Sequence, residues 1–218
     1  MYIGRMETPK NPLSLNYRIR EGLSRLAMAM RVDEWERAKA IGLNPTQLAI
    51  LTLLEGRKGG LGVKEIAAHL GVSQPTATDS INALGKKGHV EKRAGQGDRR
   101  SIGVHLTPAG LAALRHDTEG QLAEQAIGSL DDGEQQQLLI TLVKMIRHLQ
   151  EKDAIPVQRM CVTCRYFAPF VHADEERPHH CHFVNASFGQ RELRVDCRDH
   201  ELADPSSRAA TWETFETG

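Results

Sequence analysis

Apolar residues recur at helical spacing along most of the first 152 residues. Residues 13–41 carry them every three or four positions, which predicts a long first helix. A further long helix is predicted from Thr107-Pro108 to about Gly128. A last one follows Asp131, which forms a capping-box pattern with Glu134 ahead of an apolar stripe. The pattern predicts a mainly α-helical body.

Three shorter helices are predicted between these long ones. Asn44-Pro45-Thr46-Gln47 is a helix start and opens an apolar helix over residues 48–54. Residues 64–70 form the next, which ends at Gly71. Ser73 then caps a helix that runs to about Lys87.

A small hairpin follows the third short helix. Residues 89–93 and 101–106 alternate as strands on either side of a turn cluster rich in Gly, Gln and Asp. Two short helices joined at Gly71-Val72-Ser73 and followed by a hairpin are typical of a winged helix-turn-helix. The predicted fold class is therefore α+β: mainly α with a small β wing.

The start of the helix after Ser73 is small and polar, so its side chains and backbone can come close to base edges. Gln74 can pair with adenine in the major groove. An ordinary solvated helix start has similar residues, and the order of helix, lysines and hairpin favours the DNA interpretation. The residues predicted to contact DNA here are Ser73, Gln74, Pro75, Thr76, Thr78, Lys86 and Lys87.

The overall charge hides a segregation along the chain. The 28 basic and 28 acidic residues cancel. Six of the basic residues fall within residues 86–100, beside only two acidic ones, whereas residues 161–218 hold six arginines and ten acidic residues. A local basic stripe is what meets phosphate, so the neutral total does not exclude DNA binding.

Residues 13–152 resemble the multiple-antibiotic-resistance regulator (MarR) family of bacterial winged-helix repressors. The matching segments are Gly71-Val72-Ser73, the helix exit 84–91, and Asp98-Arg99-Arg100 followed by Leu106-Thr107-Pro108. The resemblance implies that Arg100 enters a minor groove while Asp98 orients it, with Arg99 beside them. A narrow minor groove attracts arginine. Asp79 departs from the family pattern, so it either accepts from a cytosine amino group or faces away from DNA.

The resemblance also implies a homodimer that reads a pseudopalindromic site in double-stranded DNA. The apolar stripes of the long helices favour the same arrangement, because a small winged-helix core cannot bury them all. Many members bind small lipophilic effectors, although no residue here identifies such a pocket.

All four cysteines lie in one short stretch near the C-terminus. Cys161 and Cys164 form a Cys-x-x-Cys pair, and Cys181 and Cys197 follow 17 and 16 residues later, while the first 160 residues have none. Four thiolates at this spacing can close one metal site. The N-terminus lacks the apolar core of a secretory signal, which disfavours structural disulfides and predicts a cytoplasmic protein. The family resemblance implies that it is bacterial and nucleoid-associated.

The spacing leaves the bound group open. Zinc is the first choice, since four thiolates satisfy its tetrahedral geometry and can fold a small segment. An iron–sulfur cluster is the close alternative, because Phe167, Phe170, Phe183 and Phe188 could shield it. A site with three cysteines and one histidine of His179-His180-Cys181-His182, or a bare thiol switch, remains possible on sequence grounds.

These patterns predict four segments: an N-terminal arm (1–12), the winged-helix and dimerisation domain (13–152), the metal- or cluster-binding cysteine module (153–204) and a loose polar tail (205–218). No apolar run approaches the length of a membrane helix. The sequence predicts a non-enzymatic transcriptional repressor whose cysteine module is structural or sensory. The alternatives are a thiol-redox protein and a protein-binding scaffold.

Overall fold

The computed structural model describes residues 14–94, 102–115 and 122–218. The chain in these ranges is mainly helical with two small antiparallel sheets, as the sequence predicts. The helices are α1 (Leu15–Ala40), α2 (Pro45–Leu54), α3 (Val63–Leu70), α4 (Gln74–Lys86), α5 (Pro108–Leu114), α6 (Leu122–Gly128), α7 (Asp132–Glu151) and α8 (Pro205–Thr217). The strands are β1 (Val90–Ala94), β2 (Ile102–Leu106), β3 (Phe167–Ala168), β4 (His179–Cys181) and β5 (Ala186–Phe188).

The predicted caps form the helix boundaries of the helix-turn-helix. Asn44 and Gln47 make a reciprocal capping box at the start of α2. Gly71 ends α3 in the left-handed conformation, with φ of 63°, where a side chain would be strained. Ser73 accepts from the backbone N–H of Thr76 and so caps α4. These local signals set the turn that orients α4 against α3.

The hairpin strands pair as the sequence predicts. β1 and β2 run antiparallel, with Val90 opposite Leu106 and Ala94 opposite Ile102. Leu61 adds an isolated bridge to Val104, which joins the α2–α3 connection to the hairpin. The predicted helix over residues 108–128 has α5 and α6 at its two ends, while residues 116–121 lie outside the described residues.

Two hydrophobic cores divide the molecule. The first belongs to the helix-turn-helix and its hairpin, and draws its buried side chains from the end of α1, α2, α3, α4, β1 and β2. The second joins α7 to the cysteine-rich region and to α8. Its buried members are Val143, Met160, Val162, Phe167, Leu193 and Phe215.

The second core corrects two expectations from the sequence. Residues 205–217 are the helix α8 rather than a loose tail, capped by Asp204 and anchored by the buried side chain of Phe215. The boundary drawn after residue 152 does not separate two cores, because Val143 of α7 packs with the residues that follow Pro156. Arg159 and Met160 are themselves buried, so this segment is not a free linker.

The cysteine-rich region has little regular structure of its own. Its sheet has the order β3-β4-β5, with Phe167 opposite Cys181 and His179 opposite Phe188. Short 3-10 helices cover Cys161–Thr163 and Gln190–Glu192. No helix in the described part of the chain is long and apolar enough to cross a membrane.

Candidate DNA-binding surface and cysteine site

Helix α4 has one buried and one exposed face. Ala77, Ser80, Ile81 and Leu84 point into the first core. The side chains predicted to read DNA lie on the outside: Gln74, Pro75 and Thr76 are exposed in the first turn and Lys86 in the last. These predicted residues therefore lie on one accessible face of α4, and three of them are in its first turn.

Three hydroxyls of this region already make local hydrogen bonds. Thr76 Oγ1 lies 2.8 Å from Ser73 Oγ, and Thr78 Oγ1 donates to the carbonyl of Gln74 at 2.8 Å. Thr78 is also half-buried. Among these residues Gln74 has the longest reach, and its side chain is exposed.

Asp79 lies on the exposed face, in helical register with Pro75 and Lys86. Its exposure agrees with both options from the sequence, a contact with a cytosine amino group and an orientation away from DNA. Asn82 is exposed on the same side and accepts from the Lys92 ammonium at 2.9 Å. This bond ties the first wing strand to α4.

Lys87, a predicted phosphate contact, makes hydrogen bonds within the protein. Its ammonium donates to the carbonyl of Gly42 at 2.6 Å and to Gln47 Oε1 at 3.4 Å. Lys87 therefore connects the end of α4 to the start of α2. Among the described residues, the ammonium of Lys86 has no such hydrogen bond.

The predicted wing residues Asp98, Arg99 and Arg100 lie outside the described residues. The strand beside them is described. There Arg93 forms an ion pair with Glu91 on the exposed side of β1.

The four cysteines line a single cavity of about 170 Å³. Cys161 and Cys164 flank the first 3-10 helix, Cys181 ends β4, and Cys197 lies in the loop that leads to α8. Backbone bonds fix the segments: the Cys197 N–H donates to Arg159 O at 2.8 Å, and the Cys161 N–H donates to Arg194 O at 3.0 Å. All four thiols are free of disulfides.

Two donors from one residue approach the sulfurs. The backbone N–H of Arg194 donates to Cys161 Sγ at 3.3 Å, and its guanidinium donates to Cys197 Sγ at 3.7 Å. The bond to Cys197 raises the pKa of Arg194. Sequence reasoning missed this residue, although its position three residues before a cysteine was a usable signal.

Burial raises the pKa of the Cys161 thiol to about 11, and burial likewise raises the pKa of Cys164. A nucleophilic or redox-active cysteine needs the opposite shift, because the thiolate is the reactive form. The arrangement does not favour a bare Cys-x-x-Cys redox site.

The histidines near the cysteines do not line the cavity. His179 is buried among aromatic rings, where desolvation lowers its pKa to about 4. His180 Nδ1 lies 3.1 Å from His172 Nε2. Across the described ranges no group of three or more His, Cys, Asp or Glu side chains is arranged to hold a metal ion.

Arg159 connects the cysteine site to the helix-turn-helix. Its guanidinium makes a paired contact with Asp196, at 2.5 and 2.8 Å, and donates to the carbonyl of Glu55 at 3.0 Å. Its side chain is only 8% exposed. Glu55 lies just after α2, and Asp196 lies just before Cys197. We call this contact the Arg159 bridge.

A second arginine reinforces the same junction. Arg198, directly after Cys197, pairs with the Glu55 carboxylate. Its side chain passes so close to Gly56 that a β-carbon there would lie 2.7 Å from Arg198 Cγ. Nothing in the sequence pattern indicated this junction, since 143 residues separate Glu55 from Arg198.

The known proteins most informative for this chain are DNA-binding regulators. The MarR family model matches residues 41–101. The chain is similar to the transcriptional repressor MprA of Escherichia coli strain K12: they are 30% identical over 147 residues, which is 63% of this chain and 84% of MprA.

Two solved structures share the fold. The MepR–DNA complex of S. aureus aligns with a TM-score of 0.51 at 20% identity, covering 64% of this chain and 99% of MepR. CouR from Rhodococcus jostii RHA1, bound to p-coumaroyl-CoA, aligns with a TM-score of 0.50 at 20% identity, covering 66% of this chain and 97% of CouR. Each alignment leaves about a third of this chain unmatched.

Proposed function

Because the chain belongs to the MarR family of DNA-binding transcriptional regulators, we propose that it is a sequence-specific repressor that binds a pseudopalindromic operator as a homodimer. The observation that carries the proposal is the exposed polar start of α4, presented by a capped helix-turn-helix. Such a helix can enter the major groove while the wing contacts the backbone or minor groove. The repressor MprA supports the direction of regulation.

Exposed apolar side chains support the homodimer. They lie on α1, α6 and α7, and water-exposed apolar stripes of this extent usually mark an interface. The most exposed are Leu15, Leu26, Met28, Met30, Val32 and Trp35 of α1, with Ile127 of α6 and Leu149 of α7. Two copies would place two α4 helices for neighbouring half-sites.

The repressor proposal is tested by measuring salt-dependent binding to duplex DNA. Operator fragments are selected from random duplexes, and affinity is measured over a range of salt concentrations. A repressor gives tight, specific binding whose logarithm falls linearly with that of salt. For a protein-binding scaffold or a thiol-redox protein, the selection yields no duplex that is bound specifically.

Replacing Arg100 by Ala should weaken binding to an A·T-flanked operator by about 1–3 kcal/mol, because a minor-groove arginine contributes on that scale. The change is measured by fluorescence anisotropy at moderate salt, with sedimentation confirming that the dimer persists. Arg93→Ala is the control, since Arg93 already pairs with Glu91. Equal affinity of wild type and Arg100→Ala would remove the wing from the interface.

The double change Gln74→Ala and Thr76→Ala should lower operator affinity by at least about tenfold while nonspecific binding changes little, because base contacts specify and phosphate contacts position. Lys86→Ala should reduce binding to all sequences and flatten the salt slope by about one unit. Lys87→Ala is a matched comparison, because its ammonium is bound to Gly42. If both changes lower the affinity for operator and for random DNA equally, α4 is not the recognition helix.

The cysteine site is the second part of the proposal. Cys161, Cys164, Cys181 and Cys197 would bind a metal group, either zinc or an iron–sulfur cluster, through four thiolates. The shared cavity supports this assignment. A small-molecule effector is a further expected ligand, by analogy with CouR and its p-coumaroyl-CoA.

A specific observation favours a sensory role for this site over a purely structural one. The Arg159 bridge links the loop of Cys197 to the residue that follows α2. A change in the metal group therefore has a short route to the helix-turn-helix, through the buried side chain of Arg159.

A further inference from the structure

We propose that Cys161, Cys164, Cys181 and Cys197 bind an iron–sulfur cluster rather than a single zinc ion. The inference rests on the cysteine site of the proposed function and names the group that it holds. It follows from the size of the cavity, from the residues that line it and from the donors that face the sulfurs.

The size of the cavity separates the two groups. A zinc ion bonds each thiolate at about 2.3 Å, so its four sulfurs lie about 3.8 Å apart and enclose no further space. The four cysteines instead border a cavity of about 170 Å³. A cluster fits such a space, because its iron and sulfide atoms stand between the thiolates.

The arrangement of the ligands agrees with this size. All four cysteines are described, and among the described residues no group of three or more His, Cys, Asp or Glu side chains is in position for one ion. Yet all four cysteines line the same cavity, and none of its lining residues is a histidine. Ligands spread around a shared volume are what a polyatomic group requires.

The rest of the lining is suited to a cluster. Phe167, Phe183 and Phe188 border the cavity together with Val184 and Ala186. Apolar rings limit the access of water, which is one of the factors that set the reduction potential of a cluster. Phe170, which the sequence also offered as a shield, packs against Phe215 instead.

Hydrogen bonds to the sulfurs complete the site. Arg194 donates to Cys161 from its backbone and to Cys197 from its guanidinium. The guanidinium also places one positive charge near Cys197, Cys161 and Cys181. Donors and charge of this kind stabilise the more negative, reduced state of a cluster and so raise its reduction potential.

The test uses the full chain, purified without oxygen and then reconstituted with iron and sulfide in the presence of competing zinc. Iron, acid-labile sulfide and zinc are counted per chain, and absorption and Mössbauer spectra are recorded. The expected result is a brown protein with two or four irons and as many sulfides. One zinc per chain and a colourless protein overturn the cluster while leaving the four-cysteine metal site intact.

A protein that binds neither group overturns both the cluster and the cysteine site, whereas the repressor proposal stands or falls separately on duplex binding. Cys181→Ser should lose most of the iron, with circular dichroism reporting whether the helices persist. Arg194→Ala keeps all four ligands and should lower the reduction potential of the cluster. Arg191→Ala is its matched control, because Arg191 pairs with Asp132 away from the cavity. Equal potentials for the two arginine variants would contradict the placement of the cluster beside Arg194.

Discussion

Phe215→Ala is expected to lower the free energy of unfolding of the region that contains α7 and the cysteine site by about 3–5 kcal/mol, the range for deleting a fully packed aromatic ring. Phe215 is 5% exposed. Its ring lies 6.0 Å from Phe167, 6.2 Å from Phe170 and 5.7 Å from Trp212, measured between centroids. Removing the ring would leave a cavity between these aromatic neighbours.

Chemical denaturation monitored by tryptophan fluorescence measures the change, since Trp212 belongs to the same core. Glu216→Ala is the control, because its side chain is exposed on the same helix. A loss below about 1 kcal/mol for Phe215→Ala, a size typical of surface sites, would mean that α8 does not hold the second core.

The helix-turn-helix could be predicted from sequence because its signals are local. Asn44, Gly71 and Ser73 act within a few residues of where they stand, through caps and a left-handed turn. The hairpin was predictable for the same reason, since its alternation and its turn lie within 18 residues. Caps and turns of this kind form independently of how the rest of the chain folds.

Helix α8 could not be predicted because its stability is not local. Its sequence is polar apart from Ala209, Ala210, Trp212 and Phe215, which on composition suggests a loose tail. The partner that orders it is a core built from α7 and from residues 160–193, and the sequence does not reveal that contact. Tertiary packing here overrides composition, as most helices in proteins depend on such packing.

The ligand residues of the cysteine site could be predicted from the sequence, but the distances between them could not. Ligand types and spacing indicated one metal site, but the spacing alone could not distinguish a single ion from a cluster. That distinction depends on how far apart the fold holds the thiols. Lys87 shows the same limit, because a lysine at a helix end can meet phosphate or, as here, a carbonyl of a neighbouring turn.

The Arg159 bridge gives the cysteine site a physical connection to the DNA-binding helices. Arg159 stands two residues before Cys161, and Asp196 directly precedes Cys197, so segments at both ends of the cysteine site hold the same guanidinium in place. The other side of that guanidinium binds the carbonyl at the end of α2. Helix α2 packs against α3 and α4 in the first core. Disorder at the cysteines would release Arg159 and with it the end of α2.

Removing the metal group from the wild-type protein should therefore weaken operator binding by at least about tenfold, a coupling free energy of about 1.4 kcal/mol. In Arg159→Ala the same removal should change the operator Kd by less than about threefold, because the connection is already broken. The measurement compares four dissociation constants: each protein with and without its metal group, at one salt concentration.

Two variants sharpen this experiment. Arg159→Lys keeps the charge but cannot make the paired contact with Asp196 while also reaching Glu55, so it should resemble Arg159→Ala. Arg165→Ala is the control: Arg165 also belongs to the cysteine-rich region, but it is exposed and pairs with Glu201 instead of Glu55. It should respond to metal removal as the wild type does.

If the operator affinity of the wild type does not change when the metal group is removed, the site is structural. If the wild type and Arg159→Ala respond equally, the connection lies elsewhere in the molecule. The expected pattern, loss of coupling in the two Arg159 variants alone, is one that general destabilisation does not produce, since Arg159→Lys retains the buried positive charge.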